Sequence, residues 1–420
     1  MSQQTTEPRP DDEAPGPTGP PRPPGRRPRR RLLPWKHRRD LTPHQLRRRR
    51  LVTRGLTGTC LLCAGWLGWS VGEALTYPGK DSTSARLAEW ARDHELGFVV
   101  DKLEDVQYAM DPPKVGGTLP AAALARMRAT QGAVPTPAHL PAHPLVPLHA
   151  PMRPPVSPAL PGEGVYRPLA TAPGGRPIVQ GTYVRPDGEH TSYEAAVAWI
   201  SGTYARFQLH PGFREPGGTF DVPPTIPEGR RTGLVATWNG GFRVTDGGSR
   251  GGFYLDGRTA GDLRDGAASE VFYRDGSIRI GVWGRDVRMT PEVVGVRQCL
   301  ELMVDDGRVV PDIGDDSKWG VSDQSRMFVP RSGVGVTAQG DVVMVVGQAL
   351  SARTLAELMQ RAGAVRAMPL DMNRAWPSFM SYDGARNPSN PTPTNILDFE
   401  DPPDRYYTQA TRDFVAVYAR

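Results

Sequence analysis

Asp-Gly pairs between apolar runs constrain the fold of the second half of this chain more than any other feature. The pair begins at positions 187, 246, 256, 265, 275, 306 and 383. Several of these pairs separate runs of β-branched and aromatic residues, as in FYLDGRT and VFYRDGSIRIGVW. Because Asp-Gly between such runs favours a tight β-hairpin turn, residues 164–420 are predicted to be mostly β.

One segment interrupts the β pattern with a helix. The stretch TLAELMQRA, residues 354–362, lies between the apolar runs DVVMVVG and VRAMPL. A strand, a helix and a second strand in succession are typical of a βαβ unit. We therefore predict an α+β fold: a mostly β single outer domain over residues 164–420, with a core at about 230–385 and a βαβ-like unit near 341–371.

The basic charge of the chain is confined to its beginning. Residues 1–54 contain 15 Lys or Arg against 5 Asp or Glu, whereas the remainder contains 36 against 40. We interpret this tail as a signal for membrane orientation, and we predict no nucleic-acid partner. Beyond residue 163 the sequence contains two histidines, His190 and His210, and one cysteine, Cys299. This scarcity argues against a zinc domain, a disulfide-linked partner and histidine-based nucleophilic catalysis.

The region before the β domain begins with a tail and an uncharged stretch. Residues 1–50 are rich in Pro and Arg, and we predict a disordered cytoplasmic tail. Residues 51–77 contain the uncharged stretch 55–72, which we interpret as a transmembrane signal anchor in contact with the lipid bilayer. A cleaved signal peptide is the alternative. The expected localisation is the cell membrane, single-pass, with the C-terminal domain extracytoplasmic.

Two further segments separate this stretch from the β domain. Residues 82–110 are predicted to be helical, with Ser82 or Ser84 as the N-cap and Gly97 dividing the helix. Residues 111–163 are rich in Pro and Ala, which predicts a mostly extended linker.

Three short motifs carry candidate site residues. Asn239 and two glycines follow the apolar run GLVAT, and an amide at such a strand end can bind sugar hydroxyls or phosphate oxygens. Arg331 opens a strand of small residues, and a guanidinium suits a phosphate or a carboxylate. Asp371 ends an apolar strand, with Arg374 close by. Taken singly, the three motifs also fit a hairpin turn, a surface salt bridge and an Asx-turn.

In order and spacing, these motifs resemble the phosphodiester glycosidase family over roughly residues 230–385. The shared features are an NGGF turn at 239–242, an Arg-Ser-x-Val-Gly strand from 331, a TLxEL helix from 354 and a GAxxAxxLD segment ending at Asp371. The family's usual LDGGGS ending is here Leu-Asp-Met-Asn-Arg-Ala-Trp, residues 370–376. The aspartate is kept and the glycines are replaced.

The resemblance implies hydrolysis of a sugar-1-phosphodiester in an envelope glycan or a related substrate. Asp371 would activate water or stabilise an oxocarbenium-like centre, Arg331 would hold the phosphate, and Asn239 would orient the sugar or phosphate. The expected substrate-binding residues are Gly240, Gly241, Asn373, Arg374 and Trp376. Asp246 is a candidate second carboxylate or a ligand for a divalent cation such as calcium.

Two other functions stay open at this point. One is a catalytically degenerate glycan-binding module of the cell envelope, in which Trp376 and Phe379 stack on sugar rings. The other is a membrane-tethered scaffold that binds a protein partner through residues 82–110.

Overall fold

The computed structural model describes residues 43–129, 146–172, 175–246, 248–319 and 328–420. The chain divides into two compact units, Met1–Trp66 and Leu67–Arg420. Most of the predicted disordered tail, residues 1–50, lies outside the described residues. Its last part, from Pro43, is helical instead, because arginine favours helix and proline is tolerated in the first helical turn.

The helices of the described residues are α1 to α5. Their bounds are Pro43–Thr76 (α1), Thr83–Asp93 (α2), Gly97–Met110 (α3), Ala121–Ala129 (α4) and Ala352–Arg361 (α5). Short 3-10 helices span Glu228–Arg230, Asp316–Trp319 and Arg405–Tyr407.

The predicted membrane anchor is not supported by the structure. Residues 55–72 lie inside α1, but none of the helices described is long and apolar enough to cross a bilayer. The five glycines and the hydroxyl side chains of this stretch lower its mean hydropathy. The bilayer contact is therefore not supported either, and the cellular location stays a prediction.

The segment 82–110 folds as its sequence predicts. Ser82 caps α2 by accepting a hydrogen bond from the backbone N–H of Ala85 at 3.2 Å, and α3 begins at Gly97. By contrast, the predicted linker 111–163 is not extended throughout. It contains α4, and Met127 and Met152 are buried in the main core. Apolar side chains within the Pro/Ala-rich composition explain this packing.

The strands of the described residues are numbered β1 to β18. The first nine are Arg167–Ala170, Val179–Val184, Ala195–Ile200, Ala205–His210, Leu234–Asn239, Gly252–Leu255, Arg258–Ala260, Ala268–Tyr273 and Ile278–Val282. The last nine are Val293–Gln298, Val304–Asp305, Arg308–Val309, Val329–Thr337, Val342–Leu350, Ala364–Met372, Phe379–Asp383, Thr392–Asn395 and Phe414–Ala419.

These strands form three antiparallel-paired sheets. The largest has the order β1-β2-β3-β14-β13-β15-β11-β12, and the others are β7-β6-β10-β8-β9 and β17-β16-β5-β18-β4. With few helices among many strands, the fold is α+β, as predicted. The Asp-Gly hairpins are confirmed at Asp256-Gly257 and Asp306-Gly307, where both residues adopt positive φ.

The predicted βαβ-like unit is the framework of the site. Strands β14 and β15 both pair antiparallel with β13, so they run parallel to each other, and α5 connects them. The small residues of β13 explain how α5 packs so closely. A Cβ placed on Gly333 would lie 3.0 Å from the Met359 methyl group and 3.2 Å from a methyl group of Leu355, both in α5. The unit thereby fixes the end of β15, where Asp371 lies.

Candidate functional site

A cavity of about 360 Å³ lies beside the end of β15. Side chains from the β domain and from α2 and α3 meet there. Its lining is formed by Glu89, Arg92, Asp101, Glu104, Phe242, Arg243, Asp246, Gly248, Ser249, Leu300, Lys318, Asp371, Met372, Asn373, Trp376 and Arg412.

Asp371 is the buried carboxylate of this cavity. Its Oδ2 accepts a hydrogen bond from Nη1 of Arg412 at 2.5 Å, and its Oδ1 accepts one from the backbone N–H of Met372 at 2.8 Å. Burial raises the pKa of Asp371, and the positive charge of Arg412 opposes part of that rise. The result is a carboxyl group that binds a proton more readily than an ordinary aspartate does.

Arg412 is held from three sides. Besides the bond to Asp371, its Nε lies 3.7 Å from a carboxylate oxygen of Glu89, and its guanidinium carbon lies 4.6 Å from the ring centroid of Trp376. The side chain is 10% exposed, so it is largely desolvated. A guanidinium fixed in this way is preorganised to bind an anion.

Arg243 supplies a second cation to the same cavity. Its guanidinium lies 3.2 Å from Glu89, 2.6 Å from Asp93 and 3.6 Å from Glu215. The Glu89 carboxylate therefore lies between Arg243 and Arg412.

The charges of the lining differ between the β domain and the two helices. The domain contributes Arg243, Lys318 and Arg412 against Asp246 and Asp371, which leaves a positive excess. Helices α2 and α3 add three carboxylates, those of Glu89, Asp101 and Glu104, and one cation, Arg92. The β-domain part of the lining therefore has one positive charge in excess, whereas α2 and α3 add two negative charges in excess and make the lining as a whole net negative.

A buried ion pair supports the NGGF turn beneath the cavity. Nε of Arg297 donates to Asp413 at 2.7 Å, Nη2 donates to the Gly241 carbonyl at 2.9 Å, and both charged side chains are fully buried. Gly240 and Gly241 are needed for close packing. A Cβ on Gly240 would lie 2.0 Å from Asp413, and one on Gly241 would lie 2.7 Å from Cβ of Cys299. Neither glycine adopts positive φ, so close packing and not backbone conformation accounts for them.

Asn239 and Arg331 lie outside the lining of this cavity. The Asn239 amide donates to Oγ of Ser332 at 3.0 Å and accepts from the backbone N–H of Ser378 at 2.9 Å. Ser332 in turn bonds the backbone of Asp371, so Asn239 connects two sheets behind the site. Arg331 donates to the carbonyls of Leu350 and Trp319, both at 2.9 Å. The role of Arg331 in holding a phosphate stays a prediction, and the arginines of the β domain that line this cavity are Arg243 and Arg412.

The residues that replace the glycines of the family motif form a wall and leave the cavity open. Met372 and Trp376 line it beside Asp371. The Asn373 amide donates to Glu104 of α3 at 2.7 Å. Arg374 lies 3.6 Å from Asp111 and lines the neighbouring cavity instead. Of the predicted substrate-binding residues, Asn373 and Trp376 reach the site directly.

Asp246 lies in the lining, but the structure assigns it no metal. Within the described ranges, no group of three or more His, Cys, Asp or Glu side chains is arranged to hold an ion. A role for Asp246 as a second carboxylate stays a prediction.

Sequence reasoning missed Arg412 and Glu89. The available signal for Arg412 was the Thr-Arg-Asp step directly before the last apolar strand, β18, which pairs with β5 and its NGGF turn. Glu89 carried no comparable signal, because nothing in the local sequence of α2 shows which domain surface the helix covers.

The fold and the cavity define an α+β protein with a buried carboxylate beside two guanidiniums. A family model described as phosphodiester glycosidase matches residues 232–371. This match bears out the resemblance to the phosphodiester glycosidase family that the motifs predicted for this part of the chain. Comparison with curated proteins gives no match.

Several solved structures are similar to this chain. The zebrafish N-acetylglucosamine-1-phosphodiester α-N-acetylglucosaminidase catalytic domain, described as auto-inhibited by its pro-peptide, is 14% identical with a TM-score of 0.40, over 61% of this chain and 88% of that one. A hypothetical protein from Synechocystis is 13% identical with a TM-score of 0.31, over 58% and 62%. An exported protein from Burkholderia pseudomallei is 12% identical with a TM-score of 0.27, over 54% and 74%.

Proposed function

We propose that the domain hydrolyses a sugar-1-phosphodiester by breaking the bond between the anomeric carbon and a phosphate oxygen. The observation that carries this proposal is the contact of the Asp371 carboxylate with Arg412, in one cavity with Arg243. A carboxylate that acts on water and a cation that holds the phosphate are the groups that such a reaction needs. The family match of residues 232–371 supports the same class of substrate.

In this mechanism the two guanidiniums bind the phosphate and Asp371 acts on the sugar side. Water attacks the anomeric carbon, and Asp371 takes the proton that the water loses. The electron pair of the broken bond stays on the phosphate oxygen, so the leaving group departs as a phosphate monoester. Arg412 and Arg243 stabilise the charge that develops there. The raised pKa of Asp371 suits a group that must accept a proton.

The shape of the cavity favours turnover over a degenerate glycan-binding module. Met372 and Trp376 replace family glycines, yet they line an open cavity and Asp371 still contacts it. One face of Trp376 packs on Arg412. This contact leaves less of the indole for stacking on a sugar ring.

The test uses the full chain and a panel of synthetic sugar-1-phosphodiesters with different sugars and a fixed alcohol. Release of reducing sugar together with the phosphate monoester is the expected result, and Asp371→Asn should abolish it. Binding of a glycan without release of either product would contradict the proposal. Loss of that binding in Trp376→Ala would then identify a glycan-binding module.

A further inference from the structure

We propose that the substrate's alcohol portion, on the far side of the phosphate from the sugar, is an apolar chain such as an alkyl or isoprenoid group. This inference rests on the proposed function and names the substrate class of the same site. It begins with a second cavity of about 410 Å³, here called the apolar groove, lined mainly by Ala85, Leu87, Val99, Val100, Leu103 and Trp376. Its volume is in the range of small-ligand sites.

The apolar groove adjoins the charged cavity. The side chains of Glu104, Asn373 and Trp376 line both spaces. Trp376 also lies against the Arg412 guanidinium, 4.6 Å from ring centroid to guanidinium carbon. The apolar groove therefore begins one indole ring away from the cation that would bind the phosphate.

The chemistry changes sharply across this shared wall. On one side are the guanidiniums of Arg243 and Arg412 with the Asp371 carboxylate. On the other side, Leu87 is 39% exposed, Val99 38% and Leu103 65%. Large apolar side chains that are exposed beside the guanidiniums of Arg243 and Arg412 suit a ligand that is anionic at one end and apolar at the other. A phosphodiester of an apolar alcohol is such a ligand.

Three charged residues also line the groove, namely Glu104, Arg374 and Glu400, and Glu400 accepts hydrogen bonds from the hydroxyls of Ser82 and Ser84. Glu104 accepts a hydrogen bond from Asn373 at 2.7 Å, on the wall shared with the charged cavity. Arg374 lies 3.6 Å from Asp111. The section between α2 and α3 is formed by alanine, valine and leucine side chains, which would bind methylene groups by burial from water.

The experiment compares two substrates that differ only in the alcohol, a methyl and a decyl ester of the same sugar-1-phosphate, below the critical micelle concentration. For the wild-type chain we expect kcat/KM to be at least tenfold higher for the decyl ester. The double variant Val99→Asn/Leu103→Asn should reduce the preference to about one and leave the methyl ester unaffected. The matched control Phe98→Asn/Val106→Asn changes two exposed α3 residues outside the apolar groove and should keep the preference.

The outcomes separate this inference from the proposed function. Equal kcat/KM for the two esters in the wild type overturns the inference and leaves the proposed function intact. If neither ester is cleaved, the proposed function fails. Calorimetry with the decyl ester then tests whether the apolar groove binds an apolar chain. Weaker binding in Val99→Asn/Leu103→Asn supports the inference, and no binding to the wild type overturns it. If Val99→Asn/Leu103→Asn changes the oligomeric state and not the binding of the decyl ester, a second copy of the chain covers the groove. That result also overturns the inference.

Discussion

The Arg412 guanidinium donates a hydrogen bond of 2.5 Å to the Asp371 carboxylate across 41 residues of sequence. This contact joins the end of β15, in the largest sheet, to the residue two positions before β18, in a different sheet. The candidate site therefore lies where two sheets meet, and its charge pair exists only after both have formed.

Asp371→Asn should abolish hydrolysis of a sugar-1-phosphodiester, with a fall in kcat of about a thousandfold or more, because the amide cannot take a proton from water. The change leaves the largely buried Arg412 guanidinium without the Asp371 carboxylate, so the melting temperature should fall, and the rates are compared per folded protein at a temperature well below that transition. Turnover at the wild-type rate would contradict the role of Asp371.

The acid limb of the kcat/KM profile should lie at a higher pH than an ordinary aspartate would give, because burial raises the pKa of Asp371 and only the ionised form accepts a proton. Arg412→Gln removes the charge that opposes this rise, so the limb should move to higher pH. A pH series with both proteins measures the shift. A limb that stays in place in the variant would show that another group titrates.

Glu89→Gln should lower KM for an anionic substrate about threefold to tenfold, because it removes the carboxylate that lies between Arg243 and Arg412. Asp101→Asn is the matched control, since Asp101 lines the same cavity and forms an ion pair with Arg92 instead. Initial-rate kinetics at low salt test the difference. Equal effects of the two changes would mean that only the net charge of the cavity matters.

Asp413→Asn should destabilise the domain by about 3–5 kcal/mol, because it leaves the fully buried Arg297 charge without its carboxylate. The loss should appear as a lower denaturation midpoint in urea. Asp404→Asn is the control, since Asp404 pairs with Lys80 at the surface and should change stability by less than about 1 kcal/mol. A midpoint equal to that of the wild type in Asp413→Asn would refute the structural role.

Glu270→Gln should remove a pH dependence of stability. Glu270 is fully buried, and burial raises its pKa to about 8, although the hydrogen bond from Trp238 lowers it in part. The folded protein keeps this proton while the unfolded chain loses it, so stability falls between about pH 4.5 and 8 by up to about 1.4 kcal/mol per pH unit. Denaturation of both proteins at pH 5 and pH 8 should show the smaller decline in the variant. Parallel declines would count against a buried neutral Glu270.

The sequence alone predicts those elements that are stabilised by interactions between neighbouring residues. Asp256-Gly257 forms a hairpin because both residues tolerate positive φ, and α5 begins after Ser351, whose hydroxyl accepts from the backbone N–H of Thr354. The apolar run CLELMV, residues 299–304, has a composition that would suit a strand, but the structure differs there. Only Val304–Asp305 is strand, since Leu300 adopts a φ of 50° that breaks the extended run.

The sequence by itself also determined that Asp371 ends a strand after a helix, because that pattern is repeated in a known family. It could not decide which cation meets Asp371. Arg331 is nearer in sequence, but its guanidinium donates to backbone carbonyls. Arg412 lies next to Asp371 because it lies two positions before β18, which pairs with β5. Nor could it place Glu89 between two guanidiniums. Contacts between distant segments depend on how sheets and helices pack, and only the tertiary structure supplies that information.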